Sequence, residues 1–360
     1  VGLGHIAQVA VLPAFRHASR NSALHALVSD DSEKLSRLGR RYKAPIRVSY
    51  DEYDGLLDSG DIDAVYIALP NDMHREYAIR AARRGVHVLC EKPMALTSRE
   101  CQDMIEARDE ASIKMMIAYR LHFERANLEA ARLAGSGRIG ELRLFTSTFS
   151  FSVKGNNIRT QAERGGGPTY DIGIYCINAA RMIFRAEPIE VCAMAVASGD
   201  QARFEEIEEA VAVLLRFPQN RLATFMASFG AAPAATYRVI GTRGDLLVDN
   251  AFEYTEPIRH RLTVNGRTRT KSYGRRDQFA PELLYFSDCI LKDRAPEPSA
   301  EEGLIDVRII EAIQKSATNG GRAVELGRLP RDRHPTLAQE IRRPPVKKPP
   351  LVNVASASKD

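Results

Sequence analysis

The chain has 360 residues, enough for two domains, with 44% hydrophobic and 27% charged residues and a formal net charge of +5. No apolar run approaches the roughly 18–20 residues of a membrane-spanning helix, which excludes a helical membrane protein. Five widely spaced cysteines with no CxxC argue against a disulfide framework and a zinc site and for a reducing compartment.

The chain opens "VGLGHIAQ". Gly2, Gly4 and Ala7 fit G-x-G-x-x-A, a turn that carries the chain from a strand into a helix and receives a pyrophosphate on its amides. A strand should precede such a turn. Only Val1 stands for it, so the expectation is an incomplete start, from truncation or a misplaced start of the reading frame. Next come "ALHALV" (23–28), a short strand, and a polar helix from Asp30 to Tyr42. "DAVYIAL" (63–69), "VHVLC" (86–90) and "KMMIAY" (114–119) read as buried strands. Helices run between them, the first ending on Gly85. Unbroken apolar strands between helices predict a parallel sheet covered on both faces.

Past residue 120 the texture changes. A helix from Phe123 to Leu133 leads into alternating stretches at 142–153, 208–217, 221–230 and 236–249. They predict an antiparallel sheet with one face on helices. Helices near Pro281–Leu291 and Glu301–Thr318 follow. The expected division is a nucleotide-binding domain over 1–120, a second domain over 121–328, and a Pro-rich basic tail over 329–360. The tail carries "RRPPVKKPP" and is expected to be disordered rather than a nucleic-acid contact.

Three constellations carry chemistry. Ser29 ends the second strand and Lys34 lies about one helical turn on; a hydroxyl and a cation suit a 2′-phosphate, and so NADP. Asp30 is the competing signal, since a carboxylate turned inward would bind a ribose 2′-hydroxyl and favour NAD. "CEKP" (90–93) places Lys92 at the carboxyl end of a strand, where ligands bind in such sheets. There its ammonium could lower a phenol's pKa or hydrogen-bond a hydroxyl. "RGGGPTYDIGIYCINAAR" (164–181) starts a helix on which Asp171, Tyr175 and Asn178 share one face. That stripe either holds a polyhydroxylated substrate or is plain polar surface.

With "EKPMA" and "GGGPTYDIGIY" beside the glycine turn, the chain resembles the Gfo/Idh/MocA oxidoreductase family, and within it the glucose–fructose oxidoreductase branch. The similarity runs from Val1 to about residue 325. It implies a Rossmann domain and a C-terminal α/β domain with a large, mostly antiparallel open sheet that often forms the oligomer interface. It matches Lys92 to the family's lysine, Asp171 to its helix aspartate and Tyr175 to its acid–base residue. Ser29 and Lys34 match the pair that holds the 2′-phosphate, and Pro70, Asn71 and His74 match a loop beside the cofactor. The expected cofactor contacts also include His5, Ile6, Leu69, Glu91 and Lys92. The expected substrate contacts are Lys92, Arg120, Asp171, Tyr175 and Asn178, with no metal. The implied activity is NADP-dependent (or NAD-dependent) hydride transfer to or from a sugar or polyol, by a cytoplasmic homodimer or homotetramer that binds neither nucleic acid nor membrane. Export is left open. The rival reading is a cofactor-binding sensor on the same fold.

Overall fold

A computed structural model describes residues 1–197, 199–328, 333–354 and 356. The chain divides into two compact units. The first comprises residues 1–123, 276–304 and 341–354; the second comprises 124–275 and 305–340.

In the first unit, strands β1 (Ala26–Val28) and β2 (Ile46–Val48) pair in parallel, as do β3 (Ala64–Ile67), β4 (His87–Cys90) and β5 (Met115–Ile117). The first two residues join the two sets. Gly2 N–H donates to Val28 O at 3.0 Å, while Ala68 N–H donates to Val1 O at 2.9 Å. The order β2, β1, residues 1–2, β3, β4, β5 is that of a doubly wound dinucleotide-binding sheet. Strand interiors are buried (Val88 and Ile67 are fully covered), as expected for a sheet sandwiched between helices. Helix Ser98–Glu110 starts on a capping box, Thr97 with Glu100.

Two sequence expectations change here. Residues 276–304 belong to the first unit, not the second domain. Their helix Ala280–Leu291 packs on helix Leu12–Ala18, and Asn21 donates to Asp288 Oδ1 at 2.9 Å. The tail is not uniformly disordered either. Residues 341–354 lie on the first unit with Val352 1% exposed among Leu3, Leu12, Leu27 and Leu38. Composition misses this because one buried valine and a few backbone bonds carry the contact. Residues 329–332, 355 and 357–360 lie outside the described residues.

The second unit is built on nine strands: β6 (Leu142–Ser150), β7 (Glu190–Val196), β8 (Ala210–Phe217), β9 (Arg221–Ser228), β10 (Ala234–Gly241), β11 (Gly244–Asp249), β12 (Ile258–Val264), β13 (Arg267–Tyr273) and β14 (Val324–Glu325). Their order is β13-β12-β11-β10-β6-β9-β8-β7-β14. All pairings are antiparallel except β6 with β9. Alternation decides the faces. Phe145, Val213 and Phe225 are buried on one side, together with helices Arg125–Gly135 and Ile174–Phe184; Leu144, Leu214, Met226 and Met194 lie exposed on the other.

Candidate active site

The first unit supplies a phosphate cradle. Gly2 has φ +84°, and a Cβ there would stand 2.6 Å from Ala68 O, so the turn into the helix requires glycine. At Gly4 a Cβ would meet nothing within 4 Å. The backbone is therefore open on that side, and residues 5–18 run on as a helix, with a π-helical turn at Ala7–Val11. An open backbone at a helix N-terminus fits a pyrophosphate. His5 and Ile6 form the first turn, and Ala7 is 3% exposed against the sheet.

At the end of β1, Ser29 is buried and its Oγ accepts from Asp31 N–H at 3.2 Å. Asp31 caps helix Ser32–Tyr42, accepting from Lys34 N–H at 2.9 Å, while Lys34 Nζ lies 3.5 Å from Asp31 Oδ2. The competing signal resolves: Asp30 Oδ1 accepts from Tyr50 N–H at 2.9 Å, which turns that carboxylate toward the neighbouring loop.

The loop after β3 behaves differently from expectation. Leu69 is buried, and Pro70 and Asn71 lead into a short turn over Asn71–Met73. His74, expected beside the cofactor, is fully buried. Its ring nitrogens lie 2.8 Å from Pro93 O and 3.0 Å from Leu69 O. Burial pulls its pKa down. It ties the end of β3 to the Glu91–Pro93 turn.

Glu91 accepts from Tyr66 Oη at 2.8 Å, and burial pushes its carboxyl pKa up. Lys92 follows it, half-buried, at the end of β4. Arg120, expected as a substrate contact, is 5% exposed and donates to Gln278 Oε1. Its charge acts on the buried carboxyls of Glu91 and Glu282. Glu282 is fully buried, neither of its oxygens has a hydrogen-bond partner, and its pKa is driven well above the usual carboxylate range by burial. One ligand-type cluster occurs among the described residues: His122 with Glu297 and Glu302. The two carboxylates engage opposite ring nitrogens, at 3.0 Å and 3.5 Å. That arrangement suits a buried charge-paired imidazole better than ligation of one ion.

In the second unit the three-glycine loop has a specific task. Gly166 N–H donates to Gln161 O and Gly167 N–H to Arg159 O, both at 2.9 Å. A Cβ on Gly166 would stand 2.5 Å from Arg159 O, and Gly167 sits at φ +103°. The loop thus grips the backbone of Arg159, whose Nε donates to Asp171 Oδ2 at 2.7 Å. The Asp171 carboxylate pushes the guanidinium pKa up, with Tyr254 and Tyr175 contributing beyond it. Tyr175, half-buried, packs edge-on against Phe149 at 5.6 Å between centroids and leans on Phe252 at 5.9 Å. So Asp171 and Tyr175 do come together, through a cation that the sequence reading missed. A π-helical turn at Thr169–Gly173 precedes helix Ile174–Phe184.

Asn178 departs from the expected stripe. It is 6% exposed, and its amide donates to Asp306 Oδ2 at 3.1 Å. Arg181 Nη1 donates to the other oxygen of Asp306 at 2.6 Å, and Arg181 also holds Glu187. The amide is thus part of an internal charge network that fixes the helix.

Comparison with known proteins agrees with this geometry. Residues 1–119 match the GFO/IDH/MocA model described as an oxidoreductase family with an NAD-binding Rossmann fold, and residues 127–247 match the GFO/IDH/MocA C-terminal domain. An uncharacterised oxidoreductase of Rhizobium meliloti is 32% identical over 89% of this chain and 96% of its own length. A D-xylose 1-dehydrogenase (NADP(+)) of Haloferax volcanii is 30% identical over 91% of this chain and 98% of its own. The crystal structure of aldose-aldose oxidoreductase from Caulobacter crescentus superposes with a TM-score of 0.86 at 36% identity, covering 90% of this chain and 98% of that one. The chain belongs to the GFO/IDH/MocA oxidoreductase family.

Proposed function

With that membership as premise, we propose that the chain is an NADP-dependent oxidoreductase acting on a hydroxyl or carbonyl carbon of a sugar or polyol. The observation that carries the reading is that Ser29 and Lys34 both stand at the end of β1 while Asp30 accepts from the Tyr50 amide. A hydroxyl and an ammonium there favour a 2′-phosphate over a bare ribose. The sugar-active relatives support the substrate class.

The nicotinamide, when bound, accepts or returns hydride at C4. The chain's residues do the rest. Tyr175 takes the hydroxyl proton in oxidation and returns it in reduction. Arg159, clamped by the glycine loop, donates to Asp171 at 2.7 Å and fixes that carboxylate on the helix that carries Tyr175. Asp171 orients the substrate, and Lys92 hydrogen-bonds its reacting oxygen. Glu91, which accepts from Tyr66 Oη at 2.8 Å, holds the turn that carries Lys92.

The exposed sheet face supports a homo-oligomer. Met194 at 71%, Val196 and Met226 at 57% and Leu144 at 42% exposure lie on one side of β6–β9, a contiguous apolar surface of the kind that marks an interface. Five free cysteines, four of them buried, suit the cytoplasm. Among the described residues no helix is long and apolar enough to cross a membrane.

The test is NADP reduction followed at 340 nm across a panel of aldoses and polyols, with NAD in parallel. Turnover with NADP and at least one sugar is expected. Binding without turnover on any of them would sink the enzyme reading and leave a sensor.

A further inference from the structure

Residues 343–353 make an ordered set of contacts with the first unit. Arg343 Nε donates to His17 O at 2.8 Å. Arg41 Nη1 donates to Pro350 O at 2.7 Å. The fully buried Gln8, on the helix that begins at the phosphate turn, bonds both sides of Val352. Its Nε2 donates to Val352 O and its Oε1 accepts from Val352 N–H, both at 2.8 Å. Gln8 Nε2 also reaches Leu3 O at 3.0 Å, which couples the same amide to the glycine turn. Val352 itself is plugged into the core under helix Ser32–Tyr42.

One residue on, Asn353 sits at φ +48°, a left-handed conformation that asparagine tolerates better than most residues. This bend aims its side-chain amide at two carboxylates. Asn353 Nδ2 lies 3.2 Å from Asp31 Oδ2 and 2.9 Å from Glu33 Oε2. Those carboxylates flank Ser29 and Lys34. Left alone, they would repel an incoming 2′-phosphate and compete with it for the Lys34 ammonium, which stands 3.5 Å from Asp31.

We propose that residues 341–354 form a strap that sets cofactor selectivity: anchored by Val352 and Gln8, it presents Asn353 to Asp31 and Glu33 and conditions the Ser29–Lys34 pocket for a 2′-phosphate. The proposal rests on the NADP reading above. Asn353 is a positioning residue, since it acts through Asp31 and Glu33. Its amide donates to both carboxylates and offsets part of their charge. A ligand without a 2′-phosphate gains nothing from this.

The experiment is calorimetric titration of the full chain with NADP and with NAD, in wild type, Asn353→Gly and Asn353→Asp. Glycine removes the amide without straining the left-handed backbone. Aspartate adds a third carboxylate in the same place. Asn353 is exposed, so neither change touches the core, and a melting curve verifies this. Expected is a fall in NADP affinity of about three- to tenfold in Asn353→Gly, the worth of one hydrogen bond. A larger fall is expected in Asn353→Asp, with NAD affinity within about twofold of wild type in both. Equal weakening of NADP and NAD, or a wild-type NADP preference that survives both substitutions, overturns the strap while leaving the cofactor reading intact. A wild-type chain that prefers NAD overturns the cofactor reading and this proposal with it.

Discussion

Glu282 in the first unit and Asp306 in the second are both fully buried carboxyls, and their surroundings are opposite. Asp306 receives Arg181 at 2.6 Å and Asn178 at 3.1 Å. Glu282 has no hydrogen-bond partner on either oxygen, and Arg120, the cation that acts on it, donates to Gln278. A buried charge with its partners in place is locked; a buried carboxyl without them stays neutral and leaves its surroundings less specified. The second unit therefore holds Asp171 and Tyr175 on a helix pinned by internal charge. The first unit places Glu91 and Lys92 beside a polar interior that can change protonation. The difference separates a rigid platform under the helix that carries Asp171 and Tyr175 from a first-unit interior that holds an unpaired carboxyl.

The largest expected effect tests the platform. Tyr175→Phe keeps the ring packed on Phe149 and Phe252, so turnover should fall about 10²–10⁴-fold, the usual contribution of a general acid–base group. NADP affinity and melting temperature should stay near wild type. Steady-state kinetics beside a melting curve checks this, and full activity would remove Tyr175 from the mechanism.

Breaking the internal pair comes next. Arg181→Met leaves the fully buried Asp306, and the half-buried Glu187, without their guanidinium and should cost about 3–5 kcal/mol in urea unfolding. A cost below about 1 kcal/mol would mean that the network is no lock.

Gly166→Ala probes the grip on Arg159 without touching any polar group. A Cβ 2.5 Å from Arg159 O must displace the 159–161 backbone. Turnover should drop while NADP affinity does not, because the change lies in the second unit. Loss of NADP affinity equal to the loss of turnover would contradict the division of labour between the units.

The smallest effect is the most specific. Burial raises the Glu282 pKa in the folded chain, so the fold favours its protonated form. That contribution is present below the unfolded pKa of about 4.3 and is lost as pH rises from there toward the folded value. Glu282→Gln has no proton to lose. It should be close to wild type near pH 4 and relatively more stable near pH 8. Denaturant midpoints across that range decide it; parallel curves for the two proteins would show that Glu282 titrates normally.

Much of this was legible before the structure. The glycine turn, the apolar strands between helices and the Lys92 position follow from period and turn chemistry, and the sheet of the second unit from alternation. Strands β12 and β13 were not foreseen because "IRHRLTV" and "RTRTKSY" carry charge where a buried strand would carry valine, and β13 is an exposed edge. Arg159 was hidden because irregular turns place it, and irregular turns have no period. The internal partners of Asn178 and Arg120, Asp306 and Gln278, were not foreseen because spacing reports which residues share a face, not which other chain segment meets that face. The strap was hidden because Pro and Lys dominate its composition while Val352 and Asn353 make its contacts.

The one parallel seam of the large sheet has a consequence for the order of assembly. Strand β6 lies between β9 and β10, both of which follow it at long sequence separation. During synthesis β6 emerges with both edges unpaired and must wait for β9 and β10. Pairings so distant in sequence close slowly. Meanwhile "LRLFTSTFS" is the segment most exposed to wrong pairing. The charged edge strand β13, with Arg267, Arg269 and Lys271, then ends the growing sheet and discourages further strand addition.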